Sequence, residues 1–93
     1  MHLGILRIYF RIFAARSLKE KRHVVRSIKD RVQGNFNVSV AEIGSQDVWN
    51  ACELGIAMIG SDHGYVSGAM EKIKSFIEAN PAIIVIEHDI EMR

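Results

Sequence analysis

The order in which hydrophobic periodicities follow one another is the strongest constraint on how this chain can fold. The predicted elements are a strand, a helix, two strands, a helix and a strand, at residues 2–13, 17–34, 37–43, 51–59, 61–80 and 82–91. A βαββαβ order in 93 residues predicts an α+β, ferredoxin-like sandwich, in which two helices cover one face of a four-stranded antiparallel sheet. No linker or repeat divides the chain, so residues 1–93 are predicted to form a single domain.

The first strand is predicted to be buried on one side only. Alternate residues of this strand form two sets, one for each side. One set is purely apolar and consists of Leu6, Ile8, Phe10 and Ile12. The other is mixed and consists of Ile5, Arg7, Tyr9 and Arg11. The usual strand order of this fold places the first and third strands in the centre and the fourth beside the first. We therefore expect Arg7 and Arg11 to pair with acids of the last strand, which are Glu87, Asp89 and Glu91.

Capping residues and glycines indicate where the elements begin, end and pack. Ser17 followed by Glu20 is a capping box, which predicts reciprocal bonds at the start of the first helix. Gly34 is a suitable C-terminal stop for that helix, and Ser61 and Asp62 are N-cap candidates for the second. Gly55 interrupts the third strand, where we expect a helix to approach closely.

Charge is strongly polarised along the chain, although the formal net charge is only +1. Residues 1–36 contain nine Lys and Arg against two Asp and Glu, whereas residues 37–93 contain three against nine. At about 100° per residue, one arc of roughly 80° on the first helix collects Lys19, Arg22, Arg26, Lys29 and Gln33. Such a row suits sequence-independent binding to a phosphate backbone. The alternatives are a solvated helix flank and neutralisation by the acidic half of the domain.

The uncovered face of the predicted sheet offers a second candidate surface. Tyr9 and Phe13 are placed to stack on bases, but the third strand offers no aromatic residue and no RNP1 pattern, which argues against an RNA-recognition motif. Ile5, Tyr9 and Phe13 also suit a contact with another subunit. The alternative partner is therefore a second copy of this chain, which would form a homodimer through the open sheet face.

No catalytic, metal or cofactor site is predicted. Cys52 lies in an apolar run and is interpreted as a small buried residue rather than a nucleophile. Residues 87–91 contain acids and a histidine, but alternation sends His88 to the opposite face. Residues 60–64 lack a phosphate-binding loop pattern. An enzyme acting on a small anion near Arg16 is a third hypothesis, supported only by the adjacent helix N-terminus.

Targeting signals are not recognised in the sequence. Arg7 and Arg11 interrupt the apolar residues near the N-terminus, and no stretch of about 20 apolar residues occurs. A single cysteine gives no disulfide framework. We therefore expect a cytoplasmic protein without membrane association.

Several segments together resemble a known family. They are the SLKEKR run at residues 17–22, Val24-Val25, the FNVSVAE run at 36–42, Gln46-Asp47, Trp49 and the LGIA run at 54–57. The chain is similar over essentially its whole length to the YlxP-like family of small uncharacterised bacterial proteins. The resemblance implies a ferredoxin-like fold and no assigned reaction. Because genes of this family often lie beside translation and ribosome-maturation genes, it also implies a role linked to RNA or ribosomes.

The sequence therefore predicts a non-enzymatic, ribosome- or translation-associated RNA-binding module. Its nucleic-acid-binding residues are predicted to be Lys19, Arg22, Arg26 and Lys29. The alternative function is a homo-oligomeric structural or protein-interaction domain without a nucleic-acid role.

Overall fold

A computed structural model describes residues 1–93 and confirms the predicted order of elements. The bounds are β1 His2–Ile12, α1 Leu18–Asn35, β2 Ser39–Gly44, β3 Ala51–Gly60, α2 His63–Glu78 and β4 Ile83–Met92. Neither helix combines the length and the hydropathy needed to cross a bilayer.

The four strands form one antiparallel sheet in the order β2-β3-β1-β4. The predicted central position of β1 and β3, with β4 beside β1, is confirmed. Pairing between β1 and β4 is interrupted by a bulge at Tyr9 and Phe10, which leaves Ile86 of β4 without a partner in the register. A second irregularity lies between Glu42 and Gly44, where β2 pairs with β3. Both irregularities lie in the pairings of the edge strands, and the central β1–β3 pairing is regular over its length.

The hydrophobic core lies entirely between the sheet and the two helices. From β1 it takes the predicted apolar set, Leu6, Ile8, Phe10 and Ile12, none of which is more than 3% exposed. The helices contribute Val25, Ile28 and Val32 from α1 and Val66, Ala69, Met70, Ile73 and Ile77 from α2. α2 contacts β1, β3 and β4, whereas α1 lies toward β2. The other face of the sheet is left without a covering layer.

The helix caps follow the sequence signals only in part. The Glu20 amide donates to Ser17 Oγ at 3.2 Å, but the reciprocal bond from the Ser17 amide to the Glu20 carboxylate is absent. α1 also continues through Gly34 to Asn35, because Phe36 is the residue that turns to extended backbone and packs edge-on against Phe76. Of the two candidates for the second cap, Asp62 rather than Ser61 is the cap, since Asp62 Oδ2 accepts from the Tyr65 amide at 2.7 Å.

Close helix packing occurs at Gly4 and not at Gly55, where it was expected. A Cβ added at Gly4 would lie 2.7 Å from Val66 Cγ1 and 2.9 Å from Met70 Cγ, so α2 approaches the backbone of β1 directly. Gly55 faces the opposite side of the sheet, where an added Cβ would meet Ile43 of β2 at 3.1 Å. The prediction for Gly55 was wrong because alternation along β3 turns this residue away from the helices.

We expect Gly4→Ala to destabilise the fold, since the new methyl group must displace Val66. Overpacking of this kind costs about 1–3 kcal/mol. Gly68→Ala on α2 is the matched control, because its added Cβ meets nothing within 4 Å. That change should stabilise the helix by about 0.5–1 kcal/mol. Urea denaturation measures both values, and a Gly4→Ala variant as stable as the original chain would contradict the packing.

Candidate nucleic-acid interface

The predicted basic residues line a groove between α1 and β2. Arg22, Arg26 and Lys29 lie along its helical wall, with Gln33 continuing the same row. The groove is open to solvent along its length and encloses about 350 Å³. Lys19 is exposed on the same helix but does not line the groove. The structure thus brings three of the four predicted residues together and places the fourth just outside.

The four cations form no ion pairs within the chain. The five ion pairs of the domain involve Arg7, Lys21, Lys74 and Arg93 as their cations. The acidic second half therefore does not neutralise Lys19, Arg22, Arg26 or Lys29 through direct contacts. Two carboxylates nevertheless line the same groove, Asp30 from α1 and Glu42 from β2. The groove is therefore mainly but not wholly cationic along its helical wall, and its β2 side carries a carboxylate.

A buried ion pair joins α1 to β2 beneath this groove. The Lys21 side chain is 1% exposed, and its Nζ lies 2.9 Å from Glu42 Oε2. The same ammonium donates to the carbonyl of Ser45, which has a positive φ of 60° in the turn after β2. Lys21 therefore fixes the end of β2 and the following turn against the first turns of the helix.

Lys21 was missed as a buried residue, although the sequence carries a signal for it. Lysine is almost never fully buried unless it is paired, so residue type alone argues for the surface. Helical spacing argues the other way, because Lys21 shares one face with Val25, Ile28 and Val32. The sequence does not reveal that Glu42, on another element, lies opposite this position.

Cys52 is fully buried beside this pair, as its apolar surroundings predicted. The pKa of the Cys52 thiol is raised to about 12, mainly by burial. The nearby Glu42 carboxylate also raises this pKa, and its effect is larger than the opposing effect of Lys21. The side chain therefore stays a protonated thiol at neutral pH. A buried, protonated thiol is a poor nucleophile.

The expected pairing of Arg7 and Arg11 with β4 was wrong. Arg7 instead pairs with Glu53 of β3, with Nε and Nη2 each 3.2 Å from Oε2. Asp89 lies opposite Arg7 in the register but forms no ion pair. Past the bulge, Arg11 lies opposite Ile84 rather than an acid. Arg11 has no carboxylate partner in the chain.

An apolar depression on the open sheet face includes residues that the sequence analysis did not single out. It encloses about 370 Å³ across β1, β2 and β3, and Ile5, Ile43 and Ala57 form much of its lining. Ile5 was anticipated, but Ile43, which is 49% exposed, was not. Alternation in β2 is the missed signal, since it directs Ala41 and Ile43 to the open face.

The other sequence candidates do not form a site. Arg16 is exposed just before the Ser17 cap, whose hydroxyl already accepts the Glu20 amide. On β4, His88 pairs with the core-facing Ile8, whereas Glu87 and Asp89 pair with open-face residues of β1. Three or more metal-ligating side chains converge nowhere in the chain.

Comparison with known proteins confirms the resemblance found in the sequence. Residues 3–90 match the model of a family described as "Protein of unknown function (DUF503)". The chain is 43% identical over 72 residues to the uncharacterised protein YlxP of Bacillus subtilis (strain 168), covering 77% of this chain and 78% of that protein. The de novo designed protein Foldit4 shares the fold, with a TM-score of 0.54, 15% identity, and coverage of 98% of this chain and 96% of the design.

Removal of one partner of the buried pair is expected to destabilise the domain. Lys21→Met leaves Glu42 Oε2 desolvated without its cation, which costs about 3 kcal/mol in comparable pairs. The double variant Lys21→Met/Glu42→Gln removes both charges and should recover much of that loss. Urea denaturation of the three proteins measures the difference. Equal stability of the single and double variants would refute the coupling between Lys21 and Glu42.

Proposed function

The chain belongs to the DUF503 family of proteins of unknown function, and we propose that it is an RNA-binding module of the translation apparatus. In this proposal α1 lies against the phosphate backbone of structured RNA on ribosomal particles. The observation that carries it is the row Lys19, Arg22, Arg26 and Lys29, whose charges have no partner within the chain. No catalytic residue and no cofactor is assigned.

The spacing of the row suits an extended polyanion better than a single small anion. From Lys19 to Lys29 the helix rises about 15 Å, and a cation recurs roughly once per turn. Phosphates along one RNA strand present charge over the same length, whereas a small anion would engage only one or two of these side chains. Each neutralised phosphate releases counterions, so affinity should fall steeply as salt rises.

The setting implied by the sequence resemblance favours RNA over other polyanions. Family genes that lie beside translation and ribosome-maturation genes are consistent with an RNA partner, although this association supplies no mechanism. The absence of a base-stacking aromatic on β3 supports contacts made by the helix rather than by the sheet face.

Charge reversal at Arg22 and Arg26 tests the proposal. Arg22→Glu/Arg26→Glu should lower affinity for structured ribosomal RNA by at least about tenfold at 50 mM salt. The slope of log affinity against log salt concentration should also become shallower, by the amount expected for the loss of about two phosphate contacts. Arg31→Glu/Lys72→Glu is the matched control, because it changes net charge equally at two exposed residues outside the groove. Equal losses in both variants would indicate net charge alone and refute a specific helix flank.

A second candidate is self-association through the open sheet face, which the apolar depression around Ile5, Ile43 and Ala57 favours. Besides the Arg7–Glu53 pair, the face carries unpaired charges of both signs, since Arg11 has no carboxylate and Asp89 no cation. A twofold contact allows each copy to supply what the other lacks.

Sedimentation tests this candidate directly. The original chain should form dimers at micromolar concentration, and Ile43→Asp should form monomers, because it buries a charge in the contact. Ile43 is 49% exposed in the single chain, so the substitution should leave the fold intact. If the original chain is monomeric at both low and high salt, self-association through this face is refuted.

A further inference from the structure

Two exposed aromatic side chains lie beside each other at one end of the sheet. Phe13, which directly follows β1, is 67% exposed, and Trp49, just before β3, is 47% exposed. The Ile12 amide donates to the Asn50 carbonyl at 2.9 Å, so the residues after β1 lie next to those before β3. Neither ring packs against another aromatic ring of the chain. Each ring therefore leaves much of its surface open to a ligand.

The loop that carries Trp49 is held at both of its ends. Lys21, near the start of α1, donates to the Ser45 carbonyl, and the same carbonyl accepts from the Val48 amide at 3.1 Å. The bond between Ile12 and Asn50 fixes the other end of the loop against β1. Trp49 is therefore presented between the end of β1 and the start of α1. A side chain that is already positioned costs less to order when a ligand binds.

Cations without partners lie close in sequence to the two rings. Arg11, Arg16 and Lys19 are exposed, and none of them forms an ion pair. Two carboxylates are exposed at the same end of the domain, Asp47 in the loop and Glu20 in the first turn of α1. Cations thus outnumber acids around the rings by three to two.

The basic row of α1 begins at this end of the sheet. Residues 13–17 link β1 to α1, so the helix starts beside the end of β1 and runs back along the sheet. Lys19, the cation of the row that does not line the groove, is therefore the one nearest the rings. A strand whose phosphates follow the row from Lys29 to Lys19 arrives at Phe13 and Trp49.

Exposed aromatic rings beside cations suit unpaired bases of RNA or the surface of an anionic membrane. Unpaired bases stack on aromatic rings while neighbouring cations bind the phosphates. A helix that binds a membrane inserts an apolar face beside its cations. The apolar face of α1 is instead buried in the core, with Val25, Ile28 and Val32. The arrangement therefore favours a polynucleotide over a membrane.

We propose that Phe13 and Trp49 form a stacking platform for unpaired bases of an RNA strand whose phosphates lie along α1. This inference rests on the proposed RNA-binding function and adds the base contacts of the same ligand. The platform lies at the end of the sheet, so it does not require aromatic residues on the open face of β3. Stacking uses the ring of a base rather than its edge, so the platform accepts every base. The structured RNA bound by α1 therefore offers an unpaired segment at the Lys19 end of the row.

The chain contains a single tryptophan, so its intrinsic fluorescence reports on this site. Ten-residue oligoadenylate at 50 mM salt should quench the emission of Trp49, because a stacked base lies against the indole ring. A ten-residue abasic strand has the same ribose-phosphate backbone, charge and length. It should bind about tenfold more weakly or worse and leave the emission unchanged. Equal affinity and equal quenching with the two strands would overturn the platform.

Variants at the two rings test the same contact from the protein side. Phe13→Leu and Trp49→Leu keep an apolar side chain without an aromatic ring. Each should weaken oligoadenylate binding, measured by fluorescence anisotropy of the labelled strand, by about fivefold or more and leave abasic binding unchanged. Trp49→Phe should recover most of the lost affinity. Unchanged affinity in both leucine variants would refute the platform.

Tyr65→Leu is the matched control for these variants. Tyr65 is a 70% exposed aromatic residue at the start of α2, which follows the opposite end of β3 from Trp49. This variant should keep the full affinity for oligoadenylate. An equal loss of affinity in Tyr65→Leu would show that any exposed aromatic ring contributes, and would overturn the assignment to Phe13 and Trp49.

The outcomes separate this inference from the function on which it rests. If Arg22→Glu/Arg26→Glu weakens binding to structured RNA but oligoadenylate binding does not depend on Phe13 or Trp49, the RNA-binding proposal stands and the platform is refuted. If oligoadenylate quenches Trp49 but no RNA binding depends on Arg22 or Arg26, the stacking contact stands and the role of α1 fails.

Vesicles of phosphatidylglycerol provide the test of a membrane. They should leave the emission of Trp49 unchanged, because the proposed ligand of the rings is an unpaired base. A shift of this emission to shorter wavelength with vesicles, together with no change on addition of oligoadenylate, would assign the rings to a membrane surface and overturn the proposal.

Discussion

The buried pair between Lys21 and Glu42 determines how α1 sits on the sheet. α1 contacts few strands, and its link to β2 runs through an ammonium that has two partners, one on the strand and one in the following turn. A charge in the interior is tolerated only when its partners are held in place, so each side of this contact restricts the other. The exposed cations of α1 therefore project from a helix whose orientation is set by a contact they do not take part in.

The two faces of the sheet differ in what they carry. All of the buried apolar cluster lies on the helix side, where Gly4 allows α2 to approach β1 closely. The open side carries Ile5, Ile43 and Ala57 beside charged residues of β1 and β4. On α1 the same separation is repeated around one helix, with the core-facing stripe on one side and the basic row beside it. Substitutions in the basic row therefore leave the buried core residues of α1 in place.

The sequence predicts the fold well because periodicity and capping act over short distances. The strand order, the core face of β1 and the row of cations on α1 all follow from spacing along the chain. Contacts between distant segments were harder to foresee. Lys21 meets Glu42 across 21 residues. Arg7 pairs with Glu53, which lies diagonally across β3 opposite Tyr9, rather than with Asp89, which lies directly opposite Arg7 on β4. Spacing identifies the residues that share a face but does not identify which of two neighbours a flexible side chain will bind.

The bulge at Tyr9 and Phe10 also affects how the domain behaves in a crowded solution. It distorts β4, an edge strand on which Glu87, Asp89 and Glu91 follow one another at alternate positions. The opposite edge, β2, has only six residues and its own irregularity. Bulges, charges and short length each prevent the addition of a further strand. Both edges of the sheet are thus poor templates for backbone pairing with a further strand, which lowers the risk that comes with an exposed apolar face.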